Sequence, residues 1–501
     1  DTIPISVSFT QIIVVTGTPQ LTLETGNIDG LANYVSGNGT KNIIFNYIIG
    51  SGQNTGDLDY TNTSALKLND GALKDSSGNA AKLTLPATAA TSSLGANKDL
   101  IVDTNGPIVL SVSSDKNDGA YNVSETINII VTFSDTVYVT GTPILLLETG
   151  EIDAFIDFST GSGTNSMVFR YIINSNHNVK KLKYKTSSSL VLYGGSINDK
   201  VNNPATLTLP NPGELNSLSK NRNITIDNIS PQVNSVYEGE NKNIEFINSI
   251  DSLSIFWTTQ LDTLSGIDSY ELALGTTMGD SNKVNWLKID SLSYSYNSST
   301  ILKNLNLEDS FSYYASVRAV DKAGNVSSVI KGDGVTVDLL PPIVGSVNDG
   351  ISIDLDYTAT KDTFLGNWSG FSDPVSGIID YHYAIGTTLN GADVKSWVSN
   401  GLDTSFTYTG YELINSQVYY ISVKAIDKIG NISDTISSNG IISDQENPNV
   451  GLVVDGIDGD MVFVNTDSIY ASWSDFADSL SGISHYEYAI GTSRDSLDVI
   501  Q

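Results

Sequence analysis

VTGTPQLTLETGNID, residues 15–29, returns as VTGTPILLLETGEID at residues 139–153. The offset is 124 residues, and it holds without a gap on both sides. FNYII from Phe45 answers FRYII from Phe169, LTLP from Leu83 answers LTLP from Leu207, and IVDTNGP ending at Pro107 answers TIDNISP ending at Pro231. Self-similarity at so long a period marks a tandem array. Inside the unit, runs such as INIIVTF (127–133), TPILLLE (142–148) and SMVFRYII (166–173) are separated by Gly, Asn, Asp and Pro clusters. Short apolar runs punctuated in this way predict a β-sandwich.

A second kind of unit follows Pro231. SGIDSYELALGTT from Ser265 recurs as SGIIDYHYAIGTT from Ser376 and as SGISHYEYAIGTS from Ser481, at offsets of 111 and 105 residues. A tryptophan stands nine residues before the glycine of each copy, as Trp257, Trp368 and Trp473, which predicts one core aromatic per unit. YYASVRAVDKAGNVS from Tyr313 and YYISVKAIDKIGNIS from Tyr419 also align. Their strict apolar and polar alternation is that of a half-buried strand.

These residues carry two resemblances. Leu307, Tyr313, Ala315, Val317 and Ala319, and again Leu413, Tyr419, Ile421, Val423 and Ala425, fit the late strand of fibronectin type III domains, which the second unit resembles. That resemblance implies a tyrosine corner, with Tyr313 and Tyr419 bonded to nearby backbone. The first unit, with its VTGTPxLxLETG and DxxGNxAxLTLP phrases, resembles the immunoglobulin-like or cadherin-like repeats of very large bacterial surface proteins. The expected fold is all-β: tandem sandwiches, immunoglobulin-like then type III-like, arranged as an elongated rod. The expected domains are 1–103, which lacks its first strand, 104–227, 228–338, 339–444 and a truncated 445–501, with Pro-containing linkers between them. Asp1 aligns with Glu125, inside a repeat, so the sequence reads as a window on a longer protein.

Composition narrows the function. Charged residues make up 16% of the chain and the formal net charge is -30, which repels a polyanionic duplex and excludes nucleic acid as a partner. No segment is long and apolar enough to span a bilayer, and no start resembles a signal peptide. The absence of cysteine excludes disulfides, zinc-thiolate sites and thiol catalysis. The three histidines, His177, His382 and His485, fall in unrelated contexts and in different predicted domains, and no nucleophile elbow, phosphate loop or zinc-protease helix is present. The reading is of a non-enzyme without catalytic residues.

Four related stretches raise the question of a metal: DSSGN from Asp75, DKVNN from Asp199, DKAGN from Asp321 and DKIGN from Asp427. Their fourth position exchanges glycine and asparagine, the residues that most readily take a left-handed backbone, while the oxygen-bearing positions vary. They read as turns capped by the aspartate, not as cation loops. Calcium, a hard cation that takes several oxygen ligands, is better sought at the domain ends, where Asp103, Asp227, Asp338 and Asp444 recur. Glu24, Glu148 and Glu125 are further donors, and the alternative at every one of these positions is a solvated acidic surface.

The function expected is that of a structural section of a bacterial extracellular or cell-surface protein, an adhesin stalk or filament. Its partners would be neighbouring domains, copies of itself, or a surface receptor or glycan. A self-assembling fibre using strand donation and an accessory spacer of a secreted enzyme are the alternatives.

Overall fold

In the computed structural model, all residues are described except 241, 291–296, 458, 465–466, 494–495 and 500–501. The chain forms two compact units: one of residues 1–231 with the loops 261–268 and 320–327, the other of residues 232–260, 269–319 and 328–501.

In the first unit the strands repeat at the period of the sequence. Thr2–Thr16, Gln20–Glu24, Gly30–Ser36 and Thr40–Ile48 return as Thr126–Thr140, Ile144–Glu148, Ala154–Thr160 and Thr164–Ile172. The 15-residue strand Thr126–Thr140 organises the second repeat. Its first half pairs antiparallel with Thr164–Ile172, then a bulge between Thr132 and Val137 lets its second half pair with Ser196–Asn198. The shift leaves three extra residues on this strand, which bends and twists it, and the strand and its partners belong to one eight-stranded sheet. Ile127, Ile129, Val131 and Phe133 alternate into the core and are fully buried, each contributing about 1.5–3 kcal/mol. The recurring LTLP phrase has a partner too: the hydroxyls of Tyr60 and Tyr184 donate to the carbonyls of Pro86 and Pro210. Two single-turn helices, Leu94–Asn97 and Leu218–Asn221, were not expected from so strand-prone a sequence. The Ser93 hydroxyl caps the first by accepting from Ala96 N–H.

The repeats differ at one edge. In the second, Val109–Ser114 pairs with Thr126–Thr140 and places Val112 in the core. The corresponding edge of the first repeat, Ile5–Phe9, has no such strand among the described residues, and Val7 and Phe9 are half-buried where Val131 and Phe133 are fully buried.

The second unit holds the type III-like sheets. Gln232–Glu238, Leu253–Gln260 and Asn297–Leu302 form one antiparallel sheet. Ile267–Gly275, Val284–Asp290, Ser312–Asp321 and Val335–Val337 belong to the other. The next copy repeats the plan: Ser346–Asp349, Thr363–Ser369 and Ser405–Thr409 face a sheet of Ile378–Gly386, Lys395–Ser399, Val418–Asp427 and Ile441–Ser443. Both tyrosine corners form: the Tyr313 hydroxyl accepts from Glu308 N–H and that of Tyr419 from Ile414 N–H, each at 2.9 Å. Tyr419 is fully buried, so Tyr419→Phe strands a part-buried amide and is expected to cost about 1–2 kcal/mol. Thermal unfolding checks this as a fall of about 5–10 °C for that sandwich.

Trp257 and Trp368 anchor their sandwiches as expected, at 1% and 2% exposure, but Trp473 is 38% exposed and its neighbour Tyr488 61%. Leu452–Asp455 and Ala471–Ser474 pair there, yet residues 483–489 form no strand, and among the described residues the indole keeps only the rings of Tyr486 and Tyr488 against it, with centroids 5.6 and 6.2 Å away. Among the described residues, no helix is long and apolar enough to cross a membrane.

Candidate metal centre

The four DxxxN stretches are turns, as their sequence implies. In Asp321–Asn325 one carboxylate oxygen, Oδ1, accepts from Ala323 N–H (2.9 Å) and Asn325 N–H (2.8 Å), while Oδ2 accepts from Asn325 Nδ2 (2.7 Å). The same bonds recur from Asp75, Asp199 and Asp427. The fourth residue is left-handed every time, with φ of 87° at Gly78, 71° at Asn202, 88° at Gly324 and 95° at Gly430, which is why only glycine and asparagine appear there.

The asparagine that ends the turn does a second job. Its Nδ2 also reaches the main-chain carbonyl of the aspartate at the preceding linker: Asn203 to Asp103 at 3.0 Å, Asn325 to Asp227 at 2.9 Å and Asn431 to Asp338 at 3.4 Å. One signal for this was present in the sequence, since the fifth position is asparagine in all four copies while the second and third change.

This clasp brings carboxylates together. Asp227, Asp262 and Asp321 form one cluster and Asp338, Asp373 and Asp427 another, with one oxygen from each residue lying within 4.8 Å of the others. Each set joins a linker aspartate, the first aspartate of a DKxGN turn, and an aspartate four residues before the glycine of an SG pair, in DTLSG and DPVSG. The DKxGN aspartates thus correct the sequence reading in part: they are turn caps, and they also sit beside the linker carboxylates. Asp262 and Asp373 were missed altogether. Of the four linker aspartates, Asp227 and Asp338 enter clusters. Asp103 and Asp444 enter none among the described residues; they accept from Asn105 N–H (3.0 Å) and Glu446 N–H (3.2 Å). Glu24, Glu148 and Glu125 are also outside, Glu125 instead pairing with Lys116 at 3.4 Å.

The two clusters differ in how their oxygens are satisfied. Asp227 accepts from Ile229 N–H (2.9 Å) and Ser265 N–H (3.1 Å). In the second cluster the equivalent Ser376 N–H turns to Asp373 Oδ1 at 2.8 Å, joined there by Val375 and Gly377. Asp338 is left fully buried, with no hydrogen-bond partner for either oxygen. Burial pushes its carboxyl above the usual range. The nearby Ser376 hydroxyl, which is not in hydrogen-bonding geometry, opposes this, and the charges of Asp373, Asp427 and Asp309 add to it. Burial likewise raises Asp321, with Asn325 opposing and the charge of Asp227 adding.

The histidines stand outside both carboxylate clusters. His177 is buried, its Nδ1 2.9 Å from the Tyr171 hydroxyl and accepting from Asn174 N–H (3.3 Å). In the first repeat Gln53 Oε1 takes the same place, accepting from Tyr47 and Gly50 at 2.7 Å each. A glutamine doing the same work identifies a structural acceptor. His382 bonds Asp380 at 3.0 Å on its strand, and His485 is exposed and lies outside any strand.

Residues 203–332 match the bacterial Ig-like domain family, group 3. The matched stretch begins at the asparagine that clasps Asp103 and contains all of Asp227, Asp262 and Asp321, so it includes one complete carboxylate cluster. No curated protein matches. Among solved structures, the chain is similar to the FN1–FN3 domains of chicken CNTN1 at 15% identity and a TM-score of 0.25, over 68% of this chain and 100% of that one. The paired sheets make the architecture one of tandem β-sandwiches.

Proposed function

We propose that the chain is a structural section of a bacterial extracellular protein, an adhesin stalk or surface filament, whose repeats serve as load-bearing spacers. The observation that carries this reading is the clasp made three times over, at Asp103, Asp227 and Asp338, by the last residue of a turn. A side chain repeated for the purpose of holding a linker is a device for transmitting force or position, not for turning over a substrate. The bacterial Ig-like match over residues 203–332 supports the same class. Prolines in the linkers, at Pro107, Pro231, Pro341 and Pro342, limit the backbone further.

Single-molecule stretching of the whole chain tests it. The expected record is a series of discrete unfolding events, with contour gains that follow the repeat lengths of 124, 111 and 105 residues and little extension before the first. A chain that lengthens smoothly at low force before any sandwich opens has slack linkers and is not a load-bearing spacer.

A further inference from the structure

We propose that Asp338, Asp373 and Asp427 are the protein ligands of a calcium ion. Three carboxylates are drawn to one point from segments far apart in sequence: a linker, a loop and the end of a core strand. Proximity of acidic groups alone says little, but one of these is unlike a surface carboxylate. Asp338 is fully buried and neither oxygen has a donor, although its main-chain carbonyl is held by Asn431. A buried carboxylate without a partner is destabilising, and two more beside it make it worse. The local structure offers it little relief: the Ser376 amide is committed to Asp373, and the Ser376 hydroxyl lies nearby but out of hydrogen-bonding geometry. A cation seated among the three removes the repulsion and satisfies Asp338 at once.

The donors favour calcium. All are carboxylate oxygens, with no imidazole or sulfur in the cluster, which selects hard cations. The three oxygens lie within 4.8 Å of one another, close enough for one ion to touch all of them at about 2.4 Å, the calcium distance. Asp373 and Asp427 are already oriented, each by three backbone amides on Oδ1, and a carboxylate so held retains lone pairs for a metal. Water completes the shell. The ion would lock the linker to the sandwich that follows it, because one ligand comes from the linker and two from that sandwich. This does not depend on the spacer reading: if no ion binds, the asparagine clasps stand unchanged, and if stretching finds slack linkers, the ion can still be measured.

Isothermal titration of the whole, chelator-stripped chain with calcium chloride tests the site beside Asp338→Asn. The wild-type protein is expected to bind calcium at or below millimolar concentration, and the variant to bind one ion fewer. In saturating calcium the second type III sandwich of the wild type should melt about 5–10 °C higher, and the variant's should not shift. In chelator the variant should melt at or above the wild type, since it has lost a buried charge. If Asp338→Asn fails to fold, Asp373→Asn, at a half-buried position, should lose the same ion. No calcium uptake at millimolar concentration, or an unchanged number of sites in both variants, overturns the proposal; an equal response to magnesium overturns the assignment to calcium.

Discussion

Trp368→Ala should remove about 3–5 kcal/mol from the second type III sandwich, the usual cost of deleting a buried tryptophan side chain. The indole is 2% exposed and lies among Tyr381, Tyr383 and Phe406, with ring centroids 5.7, 6.3 and 6.2 Å away. Tyr383 and Phe406 stack at 3.9 Å beneath it and cannot collapse into the space without breaking that pair. A domain of this size is stable by about 5–15 kcal/mol, so the change takes a large share and lowers its melting temperature by about 15–30 °C. A second substitution separates packing from polarity. The indole Nε1 is buried without a partner, so Trp368→Phe loses less area and also removes an unsatisfied donor. It should cost far less than alanine. Denaturant unfolding measures both, and a loss below about 1 kcal/mol for alanine would mean that the residue does not anchor the core.

The same sandwich should become more stable as pH falls from 8 to 5, through Asp349. Burial pushes this carboxyl up to about 7, with the charges of Asp354 and Asp356 adding and the Ser438 hydroxyl and Gly440 amide opposing. One oxygen accepts from Gly440 N–H at 3.1 Å and the other has no partner. The folded state therefore binds a proton more tightly than the unfolded chain, where the group titrates near its ordinary 3.8. Above pH 7 both states are ionised and the full cost of a buried charge is present. As pH falls from 7 towards 4 only the folded state takes up the proton, so stability rises, by about 2–4 kcal/mol in all. Asp349→Asn should carry most of that gain at every pH and flatten the profile. The difference between wild type and variant at pH 8 and pH 5 isolates this residue from the other carboxylates. A difference that does not change with pH would show that the group titrates normally.

Much of this could be read beforehand, for reasons that are local. A strand buries alternate residues, so Tyr419 to Ala425 announced its own face, and the 124-residue period placed the four long strands that the first two sandwiches share. The turns were legible because a left-handed position admits few residues. Trp473 shows the limit: it has the sequence setting of Trp257 and Trp368, but burial depends on what closes over it.

The carboxylate clusters were half-visible. Asp338 stood out because it ends a domain, whereas Asp373 and Asp427 each have a complete local explanation as caps of their own turns. A residue that is satisfied within five positions gives no sign that it also serves something distant. By itself the sequence determined the repeats, the strands, the tyrosine corners and the handedness of the turns, since all of these rest on contacts between near neighbours or on the alternation of a single strand. Only the tertiary structure decided which aspartates meet, which asparagine holds which linker, and that Asp338 is left without a donor. Those outcomes depend on segments dozens of residues apart arriving at one place, and nothing in the local chemistry of any one of them requires it.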